Sequence, residues 1–339
     1  MSETHNRKRL LEFWIVSNII ITLSFMAVQG LASFLFLSVL AGGSFGFAYP
    51  SCSAFFADST ADEERARVGG LLILITFFML ATIISVSSTF VFGLTELLIL
   101  AVFLRGLSII PLLIDPCERN AGQRKSWSGI LLNKSFLMYL FPWIIFNTAV
   151  GISALIDGWI SSSAEFEMVF RQGQVLMYVG VSLSAIISGF FSDSLGRKKT
   201  IIFGLTALGI GYALLGLATS STTYLLTKIA YGSAWGILMV TYGLAVTSDL
   251  ASKGSKEKFF AIVVTVPLIL TILGSILSDV FGFSAPANVV STVLSILLFV
   301  SVVPLLFAPE TLPEEKIRTR EIKRYMQRLG KIVSEEEAS

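Results

Sequence analysis

In 339 residues the chain carries 25 Lys and Arg against 23 Asp and Glu, and charged types make up only 14% of it while apolar types make up 54%. Soluble domains carry about 25% charged residues, so a soluble globular protein is excluded, and a net charge of +2 at a mean hydropathy of +0.79 argues against nucleic acid as a partner. Cys52 and Cys117 are too few for a disulfide framework, and the single histidine, His5, leaves no histidine-based metal site or proton relay, so neither metal nor cofactor is expected.

The N-terminal MSETHNRKRLL has the cations of a signal peptide, but no small-residue cleavage site follows and the apolar run is too long, so it is read as retained. About 20 apolar residues cross a bilayer core at 1.5 Å per residue. Ten runs meet that length, near residues 11–30, 32–57, 68–90, 95–114, 135–160, 172–191, 200–219, 223–247, 259–280 and 287–308. Their continuity, without alternation of period two, excludes a barrel. The fold class is therefore an all-α, polytopic membrane helical bundle.

Loop charge orients the spans, because Lys and Arg near span ends stay on the cytoplasmic side. All but Arg105, Arg171 and Lys228 of the 25 cations fall in clusters that lie on one face if every span is real. Both termini are then cytoplasmic.

Sliding the chain over itself until Arg197 falls on Arg7 also places Asp193, Lys198 and Lys199 on Glu3, Lys8 and Arg9, and Gly232, Trp235 and Gly236 on Gly42, Phe45 and Gly46. One position later in register, Asp249 falls on Asp58, each closing a span ahead of a charged loop. The offset covers an even number of spans, so the copies run in the same direction, and parallel repeats with a binding site between them are a transporter architecture.

With the residues Gly189, Asp193, Gly196, Arg197, Lys198 and Lys199 in GFFSDSLGRKK, the chain resembles the major facilitator superfamily and its G-x-x-x-D-x-x-G-R-[RK]-[RK] loop. GGSFGFAYPSCSAFFADSTADEERAR is similar to the family's fourth helix and following loop, and PETLP at 309–313 to the end of its last helix. The resemblance implies twelve spans in two halves. It divides the chain into a first half at 1–114 with four spans, an inter-half loop at 115–134, a second half at 135–308 with six, and a cytoplasmic tail at 309–339. The first half then lacks the two helices that the second has at 135–191, and the sequence reads as N-terminally incomplete.

In the family such loops lock the two halves on the cytoplasmic side, which makes Asp193, Arg197, Asp249, Asp58 and Arg65 the expected gate residues. Asp193 is expected to face a neighbouring helix N-terminus and Arg197 to fork onto Asp249. Substrate-cavity candidates near mid-span are Asn147, Tyr231, Trp235 and Tyr242, although the glycines around Trp235 could equally mark a close helix contact. Asp157, in ALIDGWI, is a candidate for ion coupling, with simple solvation near the interface as the alternative. Arg105 is expected to snorkel or pair within its half. Ser38 takes the position of an arginine found in many proton-coupled members, and the proline-free GLLILITFFMLATIISVSS disfavours drug antiport. Ile322, Tyr325, Met326, Leu329, Ile332 and Val333 are spaced as a surface helix on an anionic membrane or one docked on the bundle.

The function expected is secondary, ion-coupled transport of a small organic solute by alternating access, with protons as the coupling ion, in a monomer of the plasma membrane. No nucleotide-binding loop and no enzyme-like cluster of titratable residues occurs. A non-transporting sensor or a degenerate paralogue is the alternative.

Overall fold

The computed structural model describes residues 7–89, 93–114, 126–161, 167–217, 220–251, 254–281, 286–312 and 326. The inter-half cations Arg119, Arg124 and Lys125, and the tail positions around Met326, lie outside the described residues.

Each apolar run folds as a helix. In chain order these are α1 (Arg7–Ser24), α2 (Leu31–Ser59), α3 (Arg65–Thr89), α4 (Leu94–Leu107), α5 (Ile109–Ile114), the short α6 (Trp127–Leu131), α7 (Lys134–Ser161), α8 (Glu167–Leu195), α9 (Arg197–Leu217), α10 (Ser221–Leu238), α11 (Thr247–Leu250), α12 (Lys256–Phe281) and α13 (Ala287–Phe307). A π-helical segment, Met239–Val246, joins α10 to α11 in one continuous span. Among the described residues, eight helices are long and apolar enough to cross a membrane.

The run predicted at 95–114 is divided between α4 and α5. Pro111 has no N–H to give the Leu107 carbonyl, and the Ser108 N–H instead closes a tighter turn onto Arg105 O at 3.1 Å. Several helices begin at the cations themselves: Arg65, Arg197 and Lys256 each start a helix.

The duplication is visible in the packing. In the first copy α1 packs on α2 and α4; in the second, α9 packs on α10 and α13. Even an interhelical hydrogen bond repeats. Arg105 on α4 donates to the Asn18 carbonyl at 2.9 Å. Ser295 on α13, which falls on Arg105 when Arg197 falls on Arg7, donates to the Gly209 carbonyl, one residue past the position that falls on Asn18, at 2.8 Å. Arg105 also reaches Thr22 Oγ1, so it is bonded within its own half.

The two copies are interleaved: α3 packs on α8 and the π segment, and α12 packs on α2. Small residues set these approaches, as expected where lipid supplies no hydrophobic drive between helices. A Cβ on Gly70 would lie 2.6 Å from Ala185 O, and one on Gly189 would lie 2.5 Å from Ala66 O. Gly232 and Gly236 on α10 are likewise covered by Met177 and Val181 of α8, whereas their counterparts Gly42 and Gly46 have no described atom within 4 Å.

Gly189→Leu should therefore lower the thermal unfolding temperature in detergent, by an overpacking cost of about 1–3 kcal/mol, because the obstacle is backbone that cannot yield. Gly43→Leu, where nothing described lies within 4 Å of the new Cβ, should leave it unchanged.

Candidate functional site

The charged residues at one end of the bundle form two clusters. In the first, Asp249 at the end of α11 receives Arg197 Nη1 at 2.5 Å and Arg65 Nη1 at 2.8 Å. In the second, Asp58 at the end of α2 receives Arg7 Nη1 at 2.9 Å and Lys256 Nζ at 2.7 Å. The register that lays Arg197 on Arg7 lays, one position on, Asp249 on Asp58 and Lys256 on Arg65. The clusters are thus two copies of one triad. In each, an aspartate closing one span (α2, or α10 through α11) takes an arginine from the span that precedes it in the same copy (α1 or α9) and a cation from the start of a helix in the other copy (α12 or α3). Glu257 adds a second carboxylate to Arg7.

The residues of GFFSDSLGRKK surround the first triad. Asp193 Oδ2 accepts the backbone N–H of Arg67, at the start of α3, at 3.0 Å, and its other oxygen lies 3.7 Å from Arg197 Nη2. Gly189 sits against Ala66, and Gly196 turns the chain between α8 and α9 at a φ of +104°, where a Cβ would stand 2.6 Å from Glu310 Oε2. That close approach lets Glu310, within PETLP, accept the N–H groups of Arg197 and Lys198 at 3.0 and 3.2 Å and so cap α9. Lys198 Nζ bonds the Ala308 carbonyl at 3.0 Å, beyond the end of α13, while Lys199 is exposed. Arg197 is completely buried, and its Nη2 also donates to Asp62 O.

A cavity of about 180 Å³ lies between the halves, lined by Phe45 and Tyr49 of α2, Ile73 of α3, Trp143 of α7, Trp235 of α10, Met239, Gly243 and Leu244 of the π segment, and Phe260, Val263, Val264, Pro267 and Leu268 of α12. Of the four cavity candidates, Trp235 alone is on this wall. Tyr242 is stacked on Trp143 with centroids 4.8 Å apart, and Asn147 gives its Nδ2 to Trp143 O at 2.7 Å. Neither the Asn147 Oδ1 nor the Tyr242 hydroxyl has a hydrogen-bond partner among the described residues. Tyr231 faces a separate small cavity inside the second half, together with Ser153, Asp157, Tyr212, Tyr224 and Lys228.

There Asp157 is ion-paired. Lys228 Nζ lies 2.6 Å from Asp157 Oδ2, and the Tyr224 hydroxyl donates to Oδ1 at 3.1 Å. The ammonium also rests 5.5 Å from the Tyr224 ring centroid and 5.4 Å from that of Tyr231. Gly173 of α8 leaves room for the Lys228 stem, since a Cβ there would meet Lys228 Cγ at 3.2 Å.

Sequence reasoning missed the second triad, the Glu310 cap, Lys228 as the partner of Asp157, and most of the aromatic wall. The triad was reachable, because the offset that pairs Asp58 with Asp249 also pairs Arg65 with Lys256. The partners on other helices left no such trace.

Asp157→Asn should leave the Lys228 ammonium buried without its counter-charge and cost about 3–5 kcal/mol of stability. The double variant Asp157→Asn/Lys228→Gln should recover most of that loss. Thermal unfolding of the two proteins in detergent measures it.

Comparison with known proteins agrees with this geometry. The chain is 29% identical over 134 residues to the mouse major facilitator superfamily domain-containing protein 10, a match covering 39% of this chain and 28% of that one. It is 20% identical over 190 residues to the multidrug resistance protein MdtL of Vibrio parahaemolyticus, covering 56% and 47%. The matches thus span less than half the length of these relatives. Among solved structures, the human organic anion transporter MFSD10 superposes with a TM-score of 0.69 at 13% identity, over 90% of this chain and 78% of that one. The proton:xylose symporter XylE superposes with a TM-score of 0.66 at 13% identity, over 91% and 82%. A bacterial homologue of the iron transporter ferroportin, in an outward-facing state, gives 0.69 at 12%, over 90% and 84%. These likenesses identify the fold. The family model of the Major Facilitator Superfamily matches residues 128–336, more than half of the chain, and the protein accordingly belongs to that superfamily of membrane transporters.

Proposed function

We propose that the protein is a secondary carrier that moves a small organic solute by alternating access, driven by an ion gradient with protons as the coupling ion. One observation carries this reading: four of the five helical spans that wall the cavity between the halves are pinned by the triads. Tyr49 and Asp58 share α2, Ile73 and Arg65 share α3, the π segment runs into Asp249, and Phe260 and Lys256 share α12. The two sites are about 6 to 14 Å apart along each helix at 1.5 Å per residue. Parting of the triads frees those helix ends together, because each triad joins both halves.

The triads lie at the end of the bundle where the described basic clusters gather, and the reading takes that end as the cytoplasmic side of the plasma membrane, because cations near span ends stay there. Asp193, Gly196 and Arg197 then act as a latch: they hold the start of α3 against the end of α8 while the cytoplasmic side is shut. The Asp157–Lys228 pair supports ion coupling, since ionisable groups held within a bilayer mark ion pathways. The reading takes the chain to work as a monomer, since each triad is completed within one chain.

Val264→Cys, with Cys52 and Cys117 replaced by serine, places one thiol on the cavity wall. A carrier should admit a membrane-impermeant thiol reagent from both faces of sealed, oriented vesicles. Adding Arg197→Gln should raise labelling from the cytoplasmic face on the order of a hundredfold, because breaking a buried pair costs the latched state several kcal/mol. Labelling from one face alone, unchanged by Arg197→Gln, would point to a protein that does not alternate.

A further inference from the structure

The cavity wall also states what kind of solute fits it. None of the described lining residues is charged, and each of its polar side-chain groups is already committed within the protein. The Trp235 indole N–H donates to the Tyr231 hydroxyl at 3.0 Å. Tyr49 is hydrogen-bonded to Ser53.

The third case shows how the commitment arises. Pro267 has no N–H, so the carbonyl of Val263, four residues earlier on α12, loses its intrahelical donor. A bare carbonyl on the wall of a membrane cavity is a ready hydrogen-bond acceptor for a solute. Here it is taken: the Trp143 indole N–H crosses from α7 and donates to Val263 O at 2.9 Å. One contact therefore removes both a donor and an acceptor from the lining.

What remains is aromatic surface held in fixed positions. Trp143 is stacked on Phe146 at 5.7 Å and on Tyr242 at 4.8 Å, and Phe146 meets Trp235 edge-on at 5.5 Å. An apolar cavity of roughly 150 Å³ stays dry and takes up benzene, and this one is of similar size at about 180 Å³. Its wall is also irregular where it meets the solute. Pro50, Pro142 and Pro267 are each on the lining or beside a lining residue, and the π segment supplies Met239, Gly243 and Leu244. Gly243 leaves a notch, since a Cβ there would find only Leu238 O, at 3.8 Å.

We infer that the solute is uncharged, planar and aromatic, of one or two fused rings, held by stacking and dispersion against Phe45, Tyr49 and Trp235 and not by hydrogen bonds. A carboxylate or a run of hydroxyls entering this wall would shed its water without replacement, at a cost of about tenfold or more in affinity for each group left unpaired. The inference rests on the carrier reading for its site and adds the chemistry of the occupant.

Three probes of comparable size separate the classes: indole, benzoate and xylose. In the Val264→Cys protein, with Cys52 and Cys117 as serine, saturating indole should slow modification by N-ethylmaleimide about tenfold. Benzoate and xylose at the same concentration should slow it less than twofold. Gly243→Phe, which fills the notch, should abolish the protection by indole. Indole should not change labelling of the exposed native Cys52 in the parent protein, which separates occupancy of the cavity from partition into lipid.

Protection by benzoate or xylose equal to that by indole overturns the inference, as does protection by indole that survives Gly243→Phe or extends to Cys52. Failure of the carrier reading looks different: protection by indole with Val264→Cys reachable from one face only would keep the aromatic site and discard alternation. Access from both faces without protection by indole would do the reverse.

Discussion

The structure turns on a conflict at the helix ends on one side of the bundle. Arg65, Arg197 and Lys256 sit in the first turn of their helices, where the unpaired N–H groups carry about half a positive charge. Left alone, each start would repel its own side chains. The fold resolves this by bringing a carboxylate from elsewhere to each of these starts: Asp58 to Lys256, Asp249 to Arg65 and Arg197, Asp193 to the N–H of Arg67, and Glu310 to the N–H groups of Arg197 and Lys198. Because the carboxylates come from other helices and in part from the other half, the electrostatic remedy is also the tie between the halves.

That origin explains why these pairs differ from ordinary surface bridges. Arg197 is fully buried and Asp193 and Asp249 nearly so, and a buried pair is costly to break by one member while adding little over an apolar contact when whole. Gly196 and Gly189 serve these pairs by geometry, one admitting Glu310 and the other letting α8 approach the start of α3.

The cavity shows the opposite economy. Where the helix ends concentrate charge, the wall removes polarity, down to the Val263 carbonyl that Pro267 frees and Trp143 takes up. The Asp157–Lys228 pair within the second half is sequestered among tyrosines away from the aromatic wall and is linked to it through Tyr231 and Trp235. Proline and the π segment give the wall helices their irregular shape, which is tolerable at membrane depth only because the freed groups find partners.

By itself the sequence determined the class and the repeat, and it located most of the spans. Long apolar runs have one economical state in lipid, and a single offset that aligns both Gly232 with Gly42 and Arg197 with Arg7 is a property of order along the chain. Helix ends shifted by a few residues because the first turn can absorb a cation once a distant carboxylate neutralises it, and the run at 95–114 split because Pro111 withholds one hydrogen bond. The residues Asp193, Arg197 and Asp249 were legible as a group through their motif. Tertiary structure alone decided the partners: that Asp58 bridges to Lys256, that Glu310 caps α9, that Lys228 answers Asp157, and that Tyr231 turns inward while Trp143 and Trp235 face the cavity. Those outcomes depend on how helices far apart in sequence are rotated against one another, and a helix that is apolar all round carries no stripe to announce which face will meet a neighbour.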